Sequence, residues 1–138
     1  MARDEAEFKT EFRKDLHNEY PRSNIWTSTD LLRGGLPDFY LLDSGLFVAI
    51  EAKFVKSLPK KASAKVLSHP VSEKQQEFLR KTQQAGSPAI VLIGSPQTAV
   101  IFEDIKENYT LEEVLKARRV VKENGVWKVK GFLDVWRK

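Results

Sequence analysis

The 138-residue sequence has no cysteine and only two histidines, His17 and His69. Without thiols it builds no zinc finger, iron–sulfur site or thiol nucleophile. Two histidines exclude a His-rich metal site and leave a His-dependent catalytic triad without support. Long hydrophobic runs are also missing: Leu46 to Ile50 and Ala89 to Ile93 fall far short of the roughly 20 residues that span a bilayer. No Gly-x-x-x-x-Gly-Lys phosphate loop occurs, so neither ATP hydrolysis nor a nucleotide cofactor is expected. Met1 to Phe12 is charged throughout, so no signal peptide is expected, and the expectation is a cytoplasmic protein with no membrane partner. The 41% hydrophobic content suffices for one domain that buries a core without disulfides or structural metal.

The net charge of +4 is too small to mark a nucleic-acid binder, but it is unevenly spread. Met1 to Lys53 carries 7 basic and 10 acidic residues, whereas Phe54 to Lys81 carries 7 and 2. An acidic first third beside a basic centre suits a place where metal ions and phosphates meet, although solvated surface charge has the same appearance.

Periodicity predicts a helix over Arg3 to Glu19, with Phe8, Phe12 and Leu16 on one face and Pro21 beyond its end. A short strand is expected over Ser23 to Ser28. After the break at Gly34-Gly35-Leu36-Pro37, two β-rich runs, Asp38 to Leu42 and Leu46 to Lys53, flank the turn Asp43-Ser44-Gly45 and predict an antiparallel hairpin. Phe54 to Pro70 shows no period and reads as a long mobile loop. A helix is expected from Ser72 to about Gln84, closed by Gly86, followed by strands at Ala89 to Ile93 and Thr98 to Phe102. Thr110-Leu111-Glu112-Glu113 resembles a capping box that opens a helix to about Arg118. A last hairpin about Asn124-Gly125 would join Val120-Val121 to Val126 to Val129. This order implies a single α/β or α+β domain with helices packed on a sheet, its core at about residues 4–102 and a C-terminal helix and hairpin extension at 103–138.

The hairpin gathers chemistry. Asp38 opens one strand while Glu51 and Lys53 close its partner, so all three come to one end of the sheet. Glu51 and Lys53 share a face, opposite Ile50 and Ala52. Two carboxylates and an ammonium at a strand end are costly to bury without compensation, and a divalent cation compensates them. Mg²⁺ suits oxygen ligands from one or two carboxylates and completes its shell with water and phosphate oxygens. Such a site supplies what phosphodiester hydrolysis requires, namely an activated water and neutralised phosphate charge. The competing reading makes Asp38 a turn residue and Glu51 and Lys53 an exposed polar face.

Pro37-Asp38 followed by Glu51-Ala52-Lys53 resembles the core motif of the PD-(D/E)XK nuclease superfamily. Gly35-Leu36-Pro37-Asp38-Phe39, Phe47 to Lys53 and Ser72-Glu73-Lys74-Gln75 are similar to VRR-Nuc and phage or archaeal Holliday-junction-resolvase-like nucleases. The likeness runs from about Asp4 to Ile93; the segment after Phe102 lies outside it. It implies a restriction-endonuclease-like mixed β-sheet flanked by helices, and a Mg²⁺-dependent endodeoxyribonuclease, with Mn²⁺ as substitute. The DNA would be branched, the setting phage recombination or replication in a bacterial or infected host cell, and the enzyme a homodimer. By the same resemblance Asp38, Glu51 and the backbone carbonyl of Ala52 are metal ligands and Lys53 is the catalytic lysine. A first-helix glutamate adds a further ligand, Glu5 being favoured over Glu7 and Glu11, and Gln75 contacts the substrate or the catalytic site, with Gln76 as its competitor. Ser28 matches a functional serine of some resolvases, with Thr27 and Thr29 as alternatives. Arg33, Lys56, Lys60, Lys61, Lys65 and His69 are candidates for phosphate contact. Two rival readings are a restriction- or repair-type nuclease and a non-catalytic nucleic-acid-binding protein on the same fold. Trp127, Phe132 and Trp136 are expected to cover a core edge or a dimer partner rather than to stack bases.

Overall fold

The computed structural model describes residues 4–27 and 36–137. Helix α1 (Glu5–Glu19) is opened by Asp4, whose carboxylate accepts the Glu7 N–H at 2.9 Å. Phe8, Phe12 and Leu16, four residues apart, are fully buried. Strands β1 (Asn24–Thr27), β2 (Phe39–Asp43) and β3 (Leu46–Phe54) pair antiparallel in turn. Ser44 and Gly45 take φ of 51° and 84° between β2 and β3, the left-handed pair that a two-residue hairpin turn requires. Helix α2 (Glu73–Gln84), with its capping box at Ser72 and Gln75, then carries the chain across to β4 (Ala89–Gly94). β4 lies parallel to β3, the one parallel pair of the sheet, and such a pair needs a crossover of this kind. β5 (Thr98–Phe102), helix α3 (Leu111–Lys116), β6 (Arg118–Glu123), β7 (Val126–Trp127) and a 3₁₀ turn at Asp134–Trp136 complete the chain. The seven strands form one mixed sheet in sequence order.

Strand alternation sorts the core onto two faces. Phe39, Leu41, Val48, Ile50 and Ala52 pack with α1, while Ala49, Val91, Ile93 and Val100 pack with Leu79 of α2 and Val114 of α3. β4 is buried along its whole length, as expected of a central strand covered on both sides. Gly94 ends β4 because α1 crosses there: a Cβ on Gly94 would lie 2.4 Å from the Phe8 ring.

Two expectations need correction. The segment from Phe54 to Pro70 is tethered, not loose. The Val55 N–H bonds the Gly94 carbonyl, Val66 bonds the Tyr109 carbonyl, and Asn108 Oδ1 and Nδ2 bind both backbone groups of Leu67. Val55, Val66, Leu67 and Val71 are buried. Its anchors are spaced irregularly because they reach several different partners, Gly94 at the end of β4 and the loop at Asn108-Tyr109, so no period announces them. Second, α3 stops at Lys116 and the last hairpin is longer on one arm and shorter on the other than expected. β6 starts at Arg118 and β7 ends at Trp127, where the Val129 N–H turns back to the Trp127 carbonyl.

The C-terminal extension packs onto α1. Trp127 and Phe132 are fully buried, with the Phe8–Trp127 ring centroids 5.4 Å apart and Phe12–Phe132 5.8 Å apart. The Trp127 backbone N–H donates to Asp15 Oδ2, and Arg137 pairs with the buried Asp43 carboxylate. Among the described residues no helix is long and apolar enough to cross a membrane.

Candidate active site

The β2–β3 register decides where the three polar residues meet. Phe39 lies opposite Ile50, which brings Asp38, the residue just before β2, beside the Glu51–Ala52 end of β3. Ile50 and Ala52 turn to the α1 core, leaving Glu51 and Lys53 together on the other side. Asp38 is locked across the strands, because its Oδ2 accepts the backbone N–H of Ala52 at 2.8 Å. Lys53 Nζ stands 3.4 Å from Glu51 Oε2. Asp38, Glu51, Ala52 and Lys53 therefore occupy one corner.

Glu51 is the unusual member. It is 1% exposed, and its Oε1 is buried without a hydrogen-bond partner. Burial pushes its carboxyl up to about 8, the neighbouring Asp38 charge pushes the same way, and Lys53 and Lys9 only partly oppose them. The carboxyl thus holds its proton more tightly than an ordinary glutamate, and an added positive charge beside it would favour the ionised form. A fully buried carboxylate with an orphaned oxygen beside a second carboxylate fits a hard divalent cation. Among the described residues no group of three or more His, Asp or Glu forms a cage.

The three candidate glutamates of α1 are placed differently. Glu5 ion-pairs with Lys9 at 3.0 Å, and Lys9 Nζ lies 2.6 Å from Asp38 Oδ1, so Glu5 reaches the corner through a lysine. Glu11 is drawn to the far part of the helix, where it pairs at 2.8 Å with the buried Lys122 of β6. Glu7, one turn from the N-cap, donates its backbone N–H to Asp4. Lys9 escaped the reading of the sequence. Its signal was the Glu5–Lys9 spacing of a helical ion pair, common on any solvated helix, and nothing local tied it to Asp38. Burial lowers its basicity, yet the hydrogen bond and charge of Asp38, then those of Glu5, prevail and raise it above the ordinary lysine value.

Gln75 is engaged in capping α2: its Oε1 accepts the Ser72 N–H at 3.2 Å while its own N–H bonds Ser72 Oγ. Gln76 is buried, donating to the Val71 carbonyl at 2.9 Å. Both glutamines thus hold the helix start and the loop before it. Lys56, Lys60, Lys61, Lys65 and His69 are exposed along the tethered 55–71 segment. Ser28 and Arg33 lie outside the described residues.

Among solved structures, the chain is similar to Hjc, a Holliday junction resolvase from the archaeal hyperthermophile Archaeoglobus fulgidus. The TM-score is 0.50 at 18% identity, covering 79% of this chain and 88% of that one. The chain has a restriction-endonuclease-like fold. No protein-family model and no curated protein sequence matches it. In the restriction-endonuclease-like fold of this chain, the corner at Asp38, Glu51 and Lys53 is set by the β2–β3 hairpin and buttressed by the parallel β4 strand, Val91 pairing with Glu51 and Ile93 with Lys53.

Proposed function

We propose that the chain is a metal-dependent endonuclease that hydrolyses phosphodiester bonds of branched DNA. One observation carries the reading: Asp38, Glu51 and Lys53 meet at one end of the β2–β3 hairpin, with Glu51 buried and half unpartnered. The fold likeness to a protein named as a Holliday junction resolvase supports the choice of substrate.

Asp38 and Glu51 would hold Mg²⁺ or Mn²⁺, joined by the Ala52 carbonyl and by Glu5 if Lys9 moves aside. When bound, the cation would lower the pKa of a coordinated water and neutralise charge developing on the phosphate. The protein's own contribution is placement. The Ala52 N–H fixes the plane of the Asp38 carboxylate. Lys53, beside Glu51, holds an ammonium that donates to the attacking water or to a phosphate oxygen. Lys56, Lys60, Lys61 and Lys65, presented on a tethered segment, add phosphate contacts that are salt-dependent and blind to base identity. The chain is small to surround a junction alone, and a homodimer would place two such corners on two strands.

The test is a panel of four-way junction, flap, duplex and single-stranded DNA incubated with Mg²⁺ or EDTA, with the cuts mapped. Paired symmetrical cuts across the junction, abolished by EDTA, are expected. Uniform degradation of duplex would sink the junction reading, and no cutting with Mg²⁺ or Mn²⁺ would favour a binding protein on a nuclease fold.

A further inference from the structure

The corner already contains a cation supplied by the chain. Lys9 Nζ lies 2.6 Å from Asp38 Oδ1 and 3.0 Å from Glu5 Oε2, with only 28% of its side chain exposed. Asp38 Oδ2 is taken by the Ala52 N–H. Both oxygens of Asp38 are therefore engaged, whereas Glu51, buried beside it, keeps one oxygen without a partner. An ammonium and a divalent ion drawn to the same carboxylate repel each other strongly at such distances, most of all where water is largely excluded. The helix cannot relieve this by withdrawing. Phe8, adjacent to Lys9, is fully buried with its ring 5.7 Å from Phe54 and pressed against Gly94. The movable part is the lysine side chain itself.

We propose that Lys9 is a displaceable counter-ion of the metal site, a positioning residue that ties Asp38 to Glu5 in the metal-free protein and must leave Asp38 before a divalent cation binds. The inference rests on the reading of Asp38 and Glu51 as metal ligands. Lys9 then sets the metal concentration at which the site fills, and metal binding breaks the bridge between α1 and the hairpin.

The experiment measures Mn²⁺ binding to the full chain without DNA, by calorimetry, for the wild type, Lys9→Met and Lys9→Arg. Removing the competing charge is expected to tighten Mn²⁺ binding about ten-fold or more, the scale of a charge-assisted hydrogen bond. Lys9→Arg, which keeps the charge, should stay near the wild type. Mn²⁺ should also raise the unfolding temperature more in Lys9→Met than in the wild type, a readout independent of cleavage. Lys9→Gln replaces Lys9→Met should the latter fail to fold. Unchanged or weaker Mn²⁺ affinity in the neutral variant would overturn the proposal, as would the absence of Mn²⁺ binding in both the wild type and the neutral variant. If the affinities follow the expected order but no DNA is cut, the counter-ion role stands and the nuclease reading falls.

Discussion

Glu51→Gln is expected to stabilise the metal-free protein while destroying its metal site. Glutamine keeps the size and shape of glutamate but never ionises. In the folded chain burial, reinforced by Asp38, holds the Glu51 carboxyl up to about 8, against an ordinary value of 4.5. Between those two values the folded state binds a proton that the unfolded chain has already lost. Unfolding free energy therefore falls as pH rises through this window, and the loss is complete above the folded-state value. At about 1.4 kcal/mol for each pH unit of separation, the ceiling on the loss is about 5 kcal/mol. Local relaxation around a buried charge reduces it, and an effect of about 2–4 kcal/mol is expected by about pH 9. Urea unfolding in EDTA, run on wild type and variant from about pH 5 to pH 9, isolates this group because other titrations cancel in the difference. The variant should be nearly equal to the wild type at the acid end and progressively more stable toward the alkaline end. Addition of Mg²⁺ should recover stability in the wild type, by about 3 kcal/mol at a hundred-fold excess over Kd, and leave the variant unmoved. A difference between the two proteins that stays flat with pH would refute the claim that Glu51 is a destabilised carboxylate awaiting a cation.

Asp38→Asn and Lys53→Ala are each expected to reduce Mg²⁺-dependent junction cleavage by about a hundred-fold or more, while a gel-shift assay shows junction binding largely retained; normal cutting by either variant would remove that residue from the site. Gly94→Ala forces a methyl group into the Phe8 ring and is expected to cost about 1–3 kcal/mol in urea unfolding, with cleavage falling as α1 shifts. Lys60→Ala combined with Lys61→Ala should lower the slope of log affinity against log salt by up to about 2, weakening binding to all DNA shapes equally; an unchanged slope would place both lysines off the DNA path.

The periodic parts of the chain were legible from local pattern. Phe8, Phe12 and Leu16 mark the buried face of α1, and Ser44-Gly45 and Asn124-Gly125 mark turns because their residue types accept the left-handed backbone, with φ of 51° and 84° in the first. The helix starts expected at Ser72 and, from its capping-box pattern, at Thr110 are the N-caps of α2 and α3. The tethered 55–71 segment was not legible, since Val66 and Leu67 are held by Tyr109 and Asn108, some forty residues away. Nor was the burial of Trp127 and Phe132 against α1, a contact between opposite ends of the chain.

By itself, the sequence excluded thiolate chemistry and a His-rich metal centre, because it contains no cysteine and only two histidines. It also pointed to Asp38, Glu51 and Lys53 at one end of a hairpin, since two alternating β-rich runs flank the turn at Asp43-Ser44-Gly45. Only the tertiary structure decided that Glu51 is buried with an oxygen unpaired, that Glu11 belongs to Lys122, and that Lys9 reaches across to Asp38. Desolvation and long-range ion pairing depend on which elements pack together, and hydrophobic packing of α1 against the sheet, through Phe8 at Gly94, is what brings those charges into contact.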